Sequence, residues 1–455
     1  MTTLADRIRG IVAPPGTGLN QAVMPAQVEP ADRGRVCGPD ALGGRIENTE
    51  RGPYFLVETR VSPDTLYGDV PVAAVGEQLR AAAAEAPLVA GGAAARSPFL
   101  FFDVETTGLA GGAGTFVFLV GCGEFASDGA FVTRQFLLSQ LDEERPLLAA
   151  VRCELERAGA LVSFNGKSFD APILETRYLF HRLEWTGGTV PHIDVLHPAR
   201  RLWADTGCSL VMLEAQILGV SRTHDVPGIE APARYFRYLR TGDAGPLRAV
   251  IEHNRRDLLA LAALTARVLG LVQAGADNSR DAQEALALGA IYSRAGLDER
   301  AGEAFERALA FVAGSDGTSS FSARAVSLTA LRALALLSRR GRRYGDAADY
   351  WRRLVDVPGC PPHIAREASE ALAIHHEHRL RDLAAARTFA LRSLGTQAGK
   401  AWGDAVRHRV ARIDRKLKTT SLPLLFPLFP PCSSSPSRPF LPSSGSPTSG
   451  RRTSS

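Results

Sequence analysis

The sequence predicts an α/β domain built on a mixed sheet with flanking helices, followed by an all-α helical-repeat domain. Between 96 and 272, short apolar runs come first as three successive strands and then alternate with helical segments. Strands joined by short turns pair antiparallel, and strands separated by helices add parallel neighbours. From 279 to 417 the chain is alanine-rich and shows only helical periodicity.

The composition excludes several classes of protein. Of the 455 residues, 45% are hydrophobic and 22% are charged, so the chain can bury a core. It has no uncharged apolar run of about 18 residues and no apolar leader, so we expect no membrane span and no secretory signal. The six cysteines form no C-x-x-C pair, so we expect no zinc site or disulfide framework, and a cytoplasmic location. The net charge of +5 permits an anionic partner without requiring one.

The two ends of the chain show no catalytic pattern. Residues 1–95 are mixed, with a strand-like run at 54–61 and an alanine-rich stretch at 78–95 that suits a helix and a linker. The role of this region is open. Residues 418–455 are rich in serine and proline and contain no acidic residue, so we expect a disordered tail.

The central segment gives an ordered set of elements. The predicted order is strands at 99–104, 115–122 and 130–138, a helix at 142–157, a strand at 160–164, a helix at 172–183, a strand at 192–196, and helices at 209–218 and 247–272.

Two acidic residues lie at the end of the first of these strands, in F-F-D-V-E-T-T-G at 101–108. Asp103 and Glu105 are two positions apart and share one face of a strand. Adjacent carboxylates repel, and the pKa of one would rise unless a cation lies between them. Mg2+ and Mn2+ prefer such oxygen ligands. Taken alone, the pair could also be a strand ending in solvated acids.

Three further acids stand at element ends. Asp170, in F-N-G-K-S-F-D, lies near a helix start, where a helix cap is the alternative interpretation. His253 and Asp257 are at i and i+4 of a predicted helix and share its face, unless they simply begin an exposed helix. Asp194 ends a short strand.

Together these motifs resemble the DEDD superfamily of 3′–5′ exonucleases, and within it the YprB-type ribonuclease-H-like family. The resemblance covers about 97–272 and includes the stretches at 208–220 and 226–243. The matching residues are Asp103 and Glu105 for the first motif, Asn165, Phe169 and Asp170 for the second, and Asp257 for the last. Superfamily members carry Tyr four residues before the last aspartate or His five before it, whereas His253 stands four before it.

The resemblance implies a ribonuclease-H-like fold and a site for two divalent ions, Mg2+ or Mn2+, held by Asp103, Glu105, Asp170 and Asp257. Two ions can activate a water and stabilise the leaving oxygen of a phosphodiester. His253 would then orient or deprotonate the attacking water. The predicted substrate-binding residues are Thr106, Thr107, Gly108, Asn165, Lys167, Phe169 and Asp194. Lys167 could instead be an exposed turn lysine.

The C-terminal segment contains a pattern at 287–309 that resembles a tetratricopeptide repeat. The matching positions are Leu288, Gly289, Tyr292, Ala301, Phe305 and Ala308, and a weaker copy has Ala347 and Trp351. An ordinary helical bundle is the alternative. Such a repeat would offer a surface to a protein partner.

The sequence therefore predicts a metal-dependent nuclease, a two-metal 3′–5′ exonuclease that acts on a single-stranded 3′ end of DNA or RNA. The alternative is a nucleic-acid-binding or scaffold protein with a weak or inactive nuclease domain. An endonuclease on the same site is a third hypothesis.

Overall fold

The computed structural model describes residues 38–108, 114–203, 207–223, 225–314, 321–394 and 400–420. The chain divides into two compact units, between Gly341 and Arg342. The domain boundaries inferred from the sequence remain predictions. Of the predicted disordered tail, only 418–420 are described, and they end a helix.

A seven-stranded mixed sheet lies at the centre of the first unit. The described residues form nine strands: β1 (Arg45–Thr49), β2 (Gly52–Val61), β3 (Leu66–Tyr67), β4 (Val70–Pro71), β5 (Phe99–Thr106), β6 (Val117–Phe125), β7 (Phe131–Leu137), β8 (Ala160–Ser163) and β9 (His192–Asp194). The sheet order is β1-β2-β7-β6-β5-β8-β9, and β3 and β4 form a separate pair. Strands β5 to β7 are the predicted antiparallel meander. On the other side of β5, β8 pairs with it in parallel, and β9 pairs in parallel with β8. The predicted mixed sheet is confirmed.

The N-terminal hairpin belongs to the same sheet. β1 pairs with β2, and β2 pairs with β7 from Phe55 opposite Leu137 to Val61 opposite Phe131. The strand-like run at 54–61 is therefore β2. Part of the region without a predicted role supplies one edge of the sheet.

Eleven described helices belong to the first unit: α1 (Val72–Ala81), α2 (Ala86–Val89), α3 (Glu144–Arg157), α4 (Asp170–Phe180), α5 (Leu196–Leu202), α6 (Leu210–Ile217), α7 (Ala231–Thr241), α8 (Leu247–Ala274), α9 (Ala282–Arg294), α10 (Asp298–Gly314) and α11 (Phe321–Arg340). Helix α8 packs on β5, β6 and β7. Within the described ranges it is also a helix long and apolar enough to cross a membrane. However, 72% of its apolar 18-residue window is buried, as in core helices of soluble proteins.

Some predicted bounds differ from the observed ones. The strand predicted at 192–196 ends at Asp194, because the chain turns there and the N–H of Leu196 donates to Asp194 Oδ1 at 3.2 Å. The helix predicted from 78 begins at Val72. Helix α7 was not predicted; its buried Tyr235 and Tyr238 join the core beneath the sheet.

The C-terminal segment is helical, as predicted. In the second unit the helices are α12 (Tyr344–Val355), α13 (Pro362–His375), α14 (Leu383–Ser393) and α15 (Lys400–Thr420). In the first unit, α9 and α10 pack closely at Gly289, where a Cβ atom would lie 2.6 Å from the Phe305 ring. Tyr292 and Phe305 are buried, and so is Trp351 within its own unit. The assignment to tetratricopeptide repeats stays a prediction.

Candidate metal and nuclease site

Asp103 and Glu105 lie at the end of β5, on the same side of the strand. The four residues before them, 99–102, are buried and anchor the strand in the core. Regular pairing with β6 is interrupted by a register shift between Glu105 and Thr106. The buried apolar residues of β5 therefore fix the position of Asp103 and Glu105.

A buried amide network holds Asp103. Asn254 Nδ2, from α8, donates to Asp103 Oδ2 at 2.8 Å, and Gln135 Nε2 donates to Asn254 Oδ1 at 2.8 Å. Both amide side chains are fully buried. Gly121 is opposite Asp103 on β6, and a Cβ there would lie 2.1 Å from Asn254 Oδ1. Glycine at 121 thus leaves the space that Asn254 needs.

The loop between β8 and α4 places Asp170. Asn165 has a φ of 70°, in the left-handed region that asparagine tolerates. Gly166 lies against Asp170, since a Cβ there would be 2.7 Å from Asp170 Oδ2. Asp170 is the first residue of α4 and Phe169 occupies the cap position, so the cap interpretation of Asp170 is wrong.

His253 and Asp257 share a face of α8, as their spacing predicts. His253 Nε2 lies 3.4 Å from Asp257 Oδ2, and His253 Nδ1 lies 2.8 Å from Asp225 Oδ1. Arg222, with 4% of its side chain exposed, places Nη1 2.6 Å from Asp257 Oδ1. The same guanidinium also pairs with Asp225 and Glu214. Asp257 therefore contacts both a histidine and a buried arginine.

The carboxylates interact electrostatically. Burial, followed by repulsion from Asp257, Asp170 and Glu105, raises the pKa of Asp103 well above its usual range. Burial and repulsion from Asp257 and Asp170 raise the pKa of Glu105 to about 8. Burial and repulsion from Asp194 raise the pKa of Asp170 to about 7. The structure thus gathers Asp103, Glu105, Asp170 and Asp257 into one acidic cluster.

The donor set of this acidic cluster fits a hard divalent cation. Its four carboxylates supply oxygen ligands, and a cation among them would offset the repulsion that raises the pKa values of Asp103 and Glu105. Asp257 Oδ1 is buried and has no well-directed hydrogen bond within the described residues; its contact with Arg222 is ionic. In the same ranges no three acidic, histidine or cysteine side chains already enclose a metal position. Metal binding therefore requires these side chains to draw together.

The end of β5 and the two residues that follow it are held by local hydrogen bonds. Thr106 Oγ1 donates to the carbonyl of Gly108 at 3.0 Å, and the N–H of Phe116 donates to Thr107 Oγ1 at 2.9 Å. Among the described atoms, nothing lies within 4 Å of the position that a Cβ of Gly108 would take. The predicted contact of Thr106, Thr107 and Gly108 with substrate remains a prediction.

The other predicted substrate residues differ in exposure. Phe169 is 49% exposed, and Lys167 is exposed in the same loop. Asp194 is buried and accepts from the backbone N–H groups of Asn165, at 2.7 Å, and Lys167, at 3.2 Å. Asp194 therefore holds the loop in place, and its predicted contact with substrate remains a prediction.

Sequence reasoning missed Gln135, Asn254, Arg222 and Asp225. The two amides have polar or charged neighbours in the sequence, Arg134 before Gln135 and His253 and Arg255 around Asn254, so no local pattern indicated that they are buried. Arg222 and Asp225 lie in an irregular segment around residue 224, which is outside the described residues. No periodicity could place them against α8.

The pKa shifts predict a pH dependence of stability. In the unfolded chain, carboxyl groups have a pKa of about 4. Between about pH 4 and 8, the carboxyl groups of the cluster are therefore ionised in the unfolded state but still hold protons in the folded state. The cluster therefore lowers stability progressively as pH rises through that window. We expect Asp103→Asn to raise the Tm of the metal-free protein more at pH 8 than at pH 5.

We also expect Mn2+ to raise the wild-type Tm at pH 8 by binding the folded state.

Differential scanning fluorimetry at the two pH values, with EDTA or Mn2+, measures both effects. The exposed Asp142→Asn is the control variant, because it removes a carboxylate far from the cluster in sequence and exposed to solvent. Equal Tm changes for the two variants at both pH values would contradict the repulsion.

The fold is that of a ribonuclease-H-like protein, and the acidic cluster lies where β5 ends and α8 packs on the mixed sheet. Residues 100–269 match the RNase_H_2 family of the RNase_H superfamily. The chain is also 30% identical over 330 residues to "Uncharacterized protein YprB" of Bacillus subtilis (strain 168), across 70% of this chain and 75% of that protein. It therefore belongs to the YprB family.

One solved structure with a similar region is a family B DNA polymerase from the archaeon Pyrobaculum calidifontis. The match has a TM-score of 0.33 and 15% identity, and covers 46% of this chain and 28% of the polymerase.

Proposed function

We propose that the protein is a metal-dependent 3′–5′ exonuclease that acts on single-stranded DNA or RNA in the cytoplasm. Membership of the RNase_H superfamily indicates a nuclease or related hydrolase. The observation that carries the finer proposal is the acidic cluster, in which half-buried Asp103 is repelled by Asp257, Asp170 and Glu105. Repulsion of this kind is costly unless the site binds cations.

Asp103, Glu105, Asp170 and Asp257 would hold two ions of Mg2+ or Mn2+. When bound, these ions supply charge stabilisation and water activation for phosphodiester hydrolysis. The chain's own contribution is to fix the ligands: Asn254 orients Asp103, and the tight turn at Gly166 orients Asp170.

In the proposed reaction His253 receives a proton. When Nδ1 donates to Asp225, Nε2 carries the lone pair and faces Asp257 at 3.4 Å. Asp225 thus holds the ring orientation in which Nε2 can accept a proton from the attacking water. The unusual spacing of His253 is compatible with this role, because i and i+4 share a helix face.

The test uses single-stranded DNA and RNA labelled at the 3′ or the 5′ end, incubated with full-length protein and Mn2+, Mg2+ or EDTA. A 3′–5′ exonuclease releases the 3′ label at once and shortens 5′-labelled strands to a ladder, and EDTA stops both. Internal fragments without a ladder would show an endonuclease instead.

One contact favours the second candidate, a nucleic-acid-binding protein with a weak or inactive nuclease domain. Arg222 already supplies a cation to Asp257, and a buried guanidinium competes with a metal for that carboxylate. In that case full-length protein binds the strands but leaves their length unchanged with every metal.

A substitution at His253 separates its role from that of the acids. General-base assistance contributes about 10²–10⁴-fold to rate, so we expect His253→Ala to lower kcat by that amount and leave Mn2+ affinity nearly unchanged. His253→Tyr restores the residue usual at this spacing in the superfamily and should retain more activity. Single-turnover hydrolysis and Mn2+ titration measure the two effects. Equal rates for wild type and both variants would remove His253 from the mechanism.

A further inference from the structure

A second polar feature lies beside the acidic cluster and is not used by the proposed reaction. It is a cleft of about 760 Å³, lined by α2 and the glycine turn after it, by α5, and by the end of α9. The loop that holds Asp170 contributes Lys167 to the same cleft. The cleft therefore adjoins the loop that precedes Asp170.

The cleft is strongly basic. Lys167, Arg201 and Arg294 line it, together with His197, and Asp194 is the one acidic residue of the lining. The Asp194 carboxylate is buried and already accepts backbone N–H groups of its own loop. Across the described ranges, none of the three permanent cations takes part in an ion pair. Among the described residues, no ion pair therefore offsets their charges.

Two of the cations also repel each other. Burial, followed by the charge of Arg201, lowers the pKa of Arg294 below its ordinary value. Arg201 is on α5 and Arg294 ends α9, so the fold brings two guanidinium groups from separate elements to one place. The position of α9 is fixed by Trp203 Nε1, which donates to Glu284 Oε1 at 2.8 Å. An anion between the two groups would relieve this repulsion.

We infer that this cleft, hereafter the basic cleft, binds the sugar–phosphate backbone of the nucleic-acid strand whose end lies at the acidic cluster. The inference rests on the proposed function and adds a substrate-holding surface to it. Arginine groups match phosphate oxygens in a bidentate geometry, and Lys167 meets a phosphate as a point charge. A volume within the range of ordinary ligand pockets suits a few nucleotides of one strand. Phosphate contacts position a strand without reading its sequence.

The test measures binding of a 20-nucleotide single strand to full-length protein in EDTA, so that no hydrolysis occurs. The variant is Arg201→Ala/Arg294→Ala, and both positions are solvent-exposed, so the fold should be kept. The control is Arg200→Ala, which removes an exposed neighbouring charge on α5 that is not part of the cleft lining. Each phosphate contact to a single strand contributes about −0.7 to the slope of log affinity against log salt. We expect the double variant to reduce the slope by about 1.4 and the control to leave it nearly unchanged.

With Mn2+ present, the double variant should raise KM for the 20-nucleotide strand and leave both its kcat and the hydrolysis of a dinucleotide unchanged. Equal affinity and salt slope for wild type and double variant would overturn the basic cleft, and so would failure of wild type to bind the strand. Inorganic phosphate is also tested as a competitor of the strand. If the double variant weakens binding of inorganic phosphate but leaves its affinity for the strand unchanged, the cleft holds a small anion and the inference is wrong. Binding without hydrolysis by wild type would instead defeat the proposed nuclease function and leave the basic cleft standing.

Discussion

Asp103→Asn is expected to lower the rate of strand hydrolysis by about 10³-fold or more. Metal ligation contributes several kcal/mol to stabilisation of the transition state, and each 1.36 kcal/mol corresponds to a factor of ten. Repulsion from each of the other three acids contributes to the raised pKa of Asp103. Loss of its charge therefore weakens the site more than loss of any peripheral polar group.

The fold should survive this substitution. An asparagine at 103 keeps an oxygen that can accept from Asn254 Nδ2, as Asp103 Oδ2 does at 2.8 Å. The assay compares first-order decay of a 5′-labelled strand for wild type, Asp103→Asn and the exposed control Asp142→Asn. A rate for Asp103→Asn within tenfold of wild type would show that the acidic cluster is not the site of hydrolysis.

Arg177→Met is expected to destabilise the first unit by about 3–5 kcal/mol, because it leaves a buried carboxylate without its main partner. The Arg177 and Glu144 side chains are 1% and 2% exposed, and Arg177 Nε donates to Glu144 Oε1 at 2.6 Å. The guanidinium also lies over the rings of Phe116 and Phe180. This pair ties α4, which begins with Asp170, to α3.

The double variant Arg177→Met/Glu144→Leu is the matched control. Replacing both members of a buried ion pair with apolar groups is often neutral, so the double variant should lose less stability than Arg177→Met alone. Urea unfolding followed by fluorescence gives the three midpoints. If the double variant loses as much as the single one, packing of Arg177 rather than its charge holds α4.

Local rules were enough to find the acids themselves. The period of a strand placed Asp103 beside Glu105, and the period of a helix placed His253 beside Asp257. Glycine at 166 and asparagine at 165 marked the turn before Asp170. These signals are local because each depends on one element or one turn.

The supporting contacts could not be predicted in the same way. Asn254 reaches Asp103 only because α8 crosses β5 at that point, and Gln135 joins them from β7. Asp225 and Arg222 reach α8 from an irregular segment, whose path follows from tertiary packing. The basic cleft likewise depends on α9 packing against α5, which no pattern within either helix encodes.

The most direct test of the central claim is Mn2+ anomalous diffraction from crystals of the full-length protein, with and without a short single strand. We expect two manganese peaks among Asp103, Glu105, Asp170 and Asp257 in the wild type, and at most one in Asp103→Asn. An empty cluster in crystals soaked with Mn2+, with Arg222 still paired to Asp257, would contradict the two-metal nuclease.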